Sequence, residues 1–68
     1  MAVVMPSVKD RLLDLLVSGE YRGGQWLRES NLATALGVSR TPIRDALREL
    51  ATVGVVDLVP HRGAHIRH

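Results

Sequence analysis

A mainly α-helical domain closed by a small β-hairpin is the fold class that this 68-residue sequence predicts. Three observations carry that expectation. Apolar residues recur at helical spacing in three stretches, each followed by a glycine: Gly19, Gly37 and Gly54. Residues 55–59, rich in β-branched side chains, come next, followed by a "PHRG" turn and an alternating tail. There is no cysteine, and Tyr21 and Trp26 are the only aromatic residues among Phe, Trp and Tyr. One aliphatic core of Leu, Val, Ile and Ala must therefore hold a chain of marginal size.

The first helix is expected over 7–18. Ser7 can cap it, with Asp10 three residues on, and Val8, Leu12, Leu15 and Leu16 share one face. Gly23 and Gly24 mark a turn, and Gln25, Trp26 and Leu27 fit a very short strand. Trp26 is expected as a buried indole covering the edge of the core. A second helix spans 29–36, with Leu32, Ala33 and Leu36 inward. Its start is weak, because Arg28 is a poor N-cap and Ser30 would cap only a shortened helix. The third helix spans 40–53, with Ile43, Ala46, Leu47 and Leu50 as its buried stripe. Pro42 falls in its first turn, where backbone N–H groups lack partners anyway. Its cap is either Ser39 or Thr41, since a residue before proline is pushed toward extended backbone. The hairpin occupies 55–67. The order is α-β-α-α-β-β, in one domain over 1–68.

Residues 29–48 fit the steric pattern of a helix-turn-helix. Leu32, Leu36, Val38, Ile43 and Ala46 are apolar, Ala33 lets the helices approach, and Gly37 supplies the tight turn. The hairpin after the third helix makes this a winged helix-turn-helix. Arg40, Arg44 and Arg48 recur every fourth residue and form one stripe on the projecting helix, opposite Ile43, Leu47 and Leu50. A stripe of this kind usually only solvates a helix face. On the projecting helix it points to DNA, because residues at that helix's start reach base edges in the major groove, where arginine pairs with guanine. Ser39 and Thr41 at the helix start suit phosphate oxygens. Arg48 stands further along and can pair with Asp45. The wing tip offers His61 and Arg62 to a phosphate or a minor groove, with Gly63 permitting close backbone approach; as a plain turn, the four residues of "PHRG" need no ligand.

Charge agrees with this reading. The formal net charge is +2, the sequence pI is about 9.9, and Lys9 is the only lysine, so arginine dominates. Arginine is the residue suited to phosphate and base-edge contacts. Nothing supports catalysis: there is no nucleophile elbow, phosphate-binding glycine loop or carboxylate pair in a plausible pocket. No cofactor is expected. His61, His65 and His68 are spaced like metal ligands, but His61 and His65 would share a strand face that His68 leaves, and no metal is expected. No apolar run reaches membrane-spanning length, and the first residues do not form a signal peptide, so a cytoplasmic, nucleoid-associated chain is expected.

The segment "LGVSRTPIRDALRELATVGVVDLVPHRGAHI" resembles the DNA-binding domain of GntR-type bacterial transcription regulators, and "GVSRTPIRDAL" points to their FadR-like subgroup. The resemblance runs from about Val8 to Ile66. It implies a winged helix-turn-helix that binds operator DNA as a homodimer, usually as a repressor. It places Ser39, Arg40, Thr41 and Arg44 at recognition-helix contact positions and His61, Arg62 and Gly63 at the wing tip. Gly23, Arg28 and Ser30 depart from the family pattern, so no contact is carried over to Ser30. The family also implies a C-terminal domain that binds a small effector and supplies most dimer contacts. That domain is absent from these 68 residues, which are expected to bind DNA weakly and as a monomer. A competing expectation is a protein-interaction or dimerisation module, suggested by the apolar residues of "MAVVM" and "VVDLV".

Overall fold

The computed structural model describes residues 6–67. The elements follow the expected order: α1 (Val8–Val17), β1 (Trp26–Leu27), α2 (Glu29–Leu36), α3 (Arg40–Thr52), β2 (Val56–Val59) and β3 (Gly63–Ile66). Mainly helical structure with a small antiparallel sheet is thus what the chain adopts.

α1 begins where Ser7 accepts a hydrogen bond from the Asp10 N–H at 3.1 Å, satisfying one of the helix's orphan donors. Its Leu12 and Leu16 are buried, while Val8 and Leu15 flank the core partly covered. α2 starts at Arg28, whose side chain makes no capping bond, as its chemistry predicts. Gly37 ends α2 in the left-handed conformation, at φ 69°. Its N–H donates to Thr34 O at 3.2 Å and the next N–H, of Val38, to Ala33 O at 3.0 Å. These are the paired bonds of a Schellman stop. Arg11 of α1 donates to Leu36 O at 2.7 Å, satisfying another orphan carbonyl at the same end.

α3 settles the choice of cap in favour of Ser39 as the boundary residue, though its side chain makes no capping bond. Thr41 is helical despite preceding Pro42. Burial of Ile43, Ala46, Leu47 and Leu50 outweighs the local preference of one residue before proline.

The hairpin gains a strand that its own sequence does not announce. The sheet order is β1-β3-β2, all antiparallel, with Trp26 opposite His65, Leu27 opposite Ala64 and Leu58 opposite Ala64 on the other side. Gly24 N–H donates to Ile66 O at 2.7 Å and Ile66 N–H to Gln25 O at 3.3 Å, so the β1 ladder reaches back to the glycine turn. This short strand ties the wing to the segment leading into α2. Leu27, Val56 and Ala64 face the core beside Leu12, Leu32, Ile43 and Leu50.

Trp26 corrects the sequence expectation. It is 47% exposed, not buried. Strand alternation is the cause: Leu27 takes the inward position of a two-residue strand, so its neighbour must face out. The histidine geometry is also corrected. His61 lies in the turn between β2 and β3, not on a strand, so it does not share a strand face with His65.

Candidate nucleic-acid interface

Packing against α1 and α2 buries one side of α3 and leaves the other to solvent. Ser39, Arg40, Thr41, Arg44 and Arg48 are all exposed on that free side and at its start. The three arginines differ in their surroundings. Arg44 is held by Glu29 in the first turn of α2, with Nε 2.9 Å from Oε2 and Nη2 3.4 Å from Oε1. This two-pronged grip fixes the plane of the guanidinium. The hydrogen bond that Arg44 donates to Glu29, and then the Glu29 charge, raise the Arg44 pKa above the ordinary arginine value. Arg48 faces Asp45 one turn back, at 3.5 Å. The Arg40 side chain makes no hydrogen bond or ion pair among the described residues.

The wing tip is a tight turn. Arg62 N–H donates to Val59 O at 3.0 Å across Pro60 and His61. His61 has φ 64°, the left-handed region, and is the only non-glycine residue in it among the described residues. Proline at the second position and positive φ at the third define a type II turn, which normally asks for glycine where His61 stands. Gly63 follows at φ 113°, and a side chain there would begin 3.5 Å from Leu27 O. That distance is an ordinary van der Waals contact, so it is the positive φ that calls for glycine at this position.

A groove of about 490 Å³ separates α3 from the wing. Arg44, Arg48 and Glu29 line one wall, and His61, Arg62 and Gly63 the other. Leu47, Leu58 and Ala64 line it as well. Five of the eight residues singled out from sequence therefore meet around one concavity. Ser39, Arg40 and Thr41 lie outside it, at the leading end of α3.

The outward face of the sheet holds a second polar cluster. Asp57 accepts a hydrogen bond from Arg67 Nε at 3.0 Å, and His65 Nδ1 lies 3.9 Å from its other oxygen. The Arg67 hydrogen bond holds the Asp57 carboxyl below its usual range, and Asp57 in turn raises Arg67. Trp26 lies edge-on to His65, ring centres 5.0 Å apart at 77°. Arg62 Cζ stands 5.7 Å from the centre of the Trp26 ring.

Two of these participants escape sequence reasoning. Glu29 stands fifteen residues before Arg44, a separation that no helical or strand periodicity connects. Asp57 meets Arg67 only through the hairpin register. Among the described residues, no three His, Cys, Asp or Glu side chains gather in a way that could hold a metal ion. His68 lies outside the described residues. Among the described residues, no helix is long and apolar enough to cross a membrane.

The chain's relatives bear on this geometry. Residues 6–66 match the family model described as bacterial regulatory proteins, gntR family. An uncharacterized HTH-type transcriptional regulator of Mycobacterium tuberculosis is 44% identical over 55 residues, covering 81% of this chain and 22% of that protein. The probable D-xylose utilization operon transcriptional repressor of Paenarthrobacter nicotinovorans is 36% identical over 64 residues, covering 94% of this chain and 28% of that one. Among solved structures, Streptococcus agalactiae GntR superposes with a TM-score of 0.80 at 39% identity, over 88% of this chain and 29% of that chain. The 68 residues thus span roughly a quarter of the length of these relatives, and the family match runs over the three helices and the wing. The chain belongs to the gntR family of bacterial regulatory proteins.

Proposed function

We propose that this chain binds operator double-stranded DNA as the winged helix-turn-helix of a bacterial transcriptional regulator. α3 enters the major groove, and the wing lies on the minor groove or the backbone. One observation carries this reading most directly: Arg44 and Arg48 of the projecting helix and Arg62 of the wing line the same groove. Backbone phosphates supply most of the affinity of such a surface, and base edges supply its discrimination. Arg40 and Arg44 are assigned to base edges, and Ser39, Thr41 and Arg48 to phosphates. His61, Arg62 and Gly63 form the wing contact.

The wider reading follows the family and the relatives' names. A FadR-like regulator would continue into a C-terminal domain that binds a small effector and pairs two copies. The name of the Paenarthrobacter relative favours repression over activation. Such a protein acts in the cytoplasm and is not an enzyme. On its own the 68-residue chain would bind one half-site, weakly and with strong salt dependence.

Selection from random duplex DNA, followed by binding across a salt series, tests this function. A recovered half-site and a falling affinity with rising salt are expected. Arg44→Ala should weaken binding to that half-site on the order of tenfold and relax preference at one base pair. Equal loss on every sequence would reassign Arg44 to a phosphate. A stable dimer in sedimentation, with no duplex shift even at low salt, would replace DNA reading with a protein-interaction role.

A further inference from the structure

We infer that Trp26 is a positioning residue for the wing: its indole is the platform that holds the Arg62 guanidinium ready for a DNA phosphate. The inference rests on the DNA-binding reading above and assigns a task to a residue that the core does not use.

Trp26 is an expensive side chain to leave 47% exposed. It is not loosely placed. Its strand pairs with β3, so its backbone is fixed opposite His65. His65 braces the ring edge-on at 5.0 Å, and His65 is itself flanked by Asp57 at 3.9 Å. Against this braced ring stands Arg62, its Cζ 5.7 Å from the ring centre, within the range of a cation–π contact. Arg62 occupies the last position of the wing turn, and its side chain reaches from that turn to β1.

The nature of the support matters. Arg44 is supported by Glu29, Arg48 by Asp45 and Arg67 by Asp57, each a carboxylate. A carboxylate orders an arginine but also occupies its N–H donors and cancels its charge. No carboxylate pairs with Arg62 among the described residues. An indole attracts the cation through its ring face and accepts none of the five N–H groups in the guanidinium plane. Arg62 is therefore ordered with its charge and donors intact, the condition a phosphate contact requires. The link from β1 through Trp26 to Arg62 also couples the wing tip to the segment that starts α2.

The test uses the chain, its variants and mixed-sequence duplex DNA at low salt. In the free protein, the Arg62 side-chain protons should show ring-current shifts in NMR spectra that vanish in Trp26→Leu and persist in Trp26→Tyr. Trp26→Leu should weaken duplex binding about two- to fivefold, the size of an exposed cation–π contact. Trp26→Tyr should restore most of that loss. In an Arg62→Ala background, Trp26→Leu should cost nothing further. Thermal melts of each variant separate this from unfolding, because a merely structural Trp26 would weaken binding equally with or without Arg62. Additive losses, or unshifted Arg62 protons, would overturn the platform. Shifted protons in a wild-type chain that binds no duplex would leave the contact in place but overturn its role toward phosphate, along with the DNA-binding reading itself.

Discussion

At the scale of single residues, the contact between Glu29 and Arg44 says most about how the surface would work. An arginine free to swing satisfies any phosphate. One gripped by a carboxylate at 2.9 and 3.4 Å presents its remaining donors in a fixed direction. Glu29 also lowers the net positive charge of the groove, which disfavours indiscriminate binding. Glu29→Gln should therefore raise affinity for mixed-sequence duplex severalfold while reducing the ratio between selected and mixed DNA. Fluorescence anisotropy on both duplexes reads that ratio, and an unchanged ratio would make the ion pair purely structural. His61 belongs at the same scale. A histidine at φ 64° costs more than the glycine that the turn prefers, so its side chain is retained in the wing against local preference.

At the scale of elements, α2 is the weak point. Its N-terminus lacks a side-chain cap, while its C-terminus has both a Schellman stop and the Arg11 bond. Arg28 is extended at φ −105°, ψ 126°, the backbone that a capping serine adopts. Arg28→Ser should stabilise the fold by about 0.5–2 kcal/mol, raising Tm by several degrees for a chain this small. Differential scanning calorimetry would show it, and an unchanged Tm would mean that backbone water already satisfies the helix start. The sheet has its own electrostatic tie in Asp57 and Arg67. Asp57 is held below its usual range by the Arg67 hydrogen bond. Its stabilising contribution is thus full above the unfolded aspartate value of about 3.9 and disappears as pH falls through the lower folded value. Asp57→Asn should melt below wild type at neutral pH, with the gap closing as the buffer is taken below about pH 4. A gap constant across that range would remove the ion pair from the stability of the wing.

At the scale of the whole molecule, eleven buried apolar side chains among the described residues hold three helices and a sheet together, in a chain with no cysteine to cross-link it. Leu12 is fully buried where α1 meets α3, and α1 touches DNA nowhere in the proposed arrangement. Leu12→Ala should cost about 2–5 kcal/mol. Set against a total stability of roughly 3–10 kcal/mol for a chain of this length, that loss leaves a large unfolded fraction at moderate temperature. Circular dichroism melts would measure it, and apparent DNA affinity should fall only in proportion to the folded fraction.

The helices, their glycine stops and the wing turn were legible because each is encoded within a few neighbouring residues. Helical spacing marked Ile43, Ala46, Leu47 and Leu50 as buried, and the same spacing put Arg40, Arg44 and Arg48 on the exposed side. Ser7 and Gly37 announced their boundaries through local hydrogen bonding and positive φ. The sequence by itself therefore determined the element order, the core stripe and the basic face. Only the tertiary structure decided which partner each exposed side chain would meet: Glu29 for Arg44, Asp57 for Arg67, and an outward Trp26 for Arg62. The reason is physical. Secondary structure follows from periodicity and backbone preference over one or two turns, whereas these pairings depend on helix packing and strand register, which join residues separated by tens of positions.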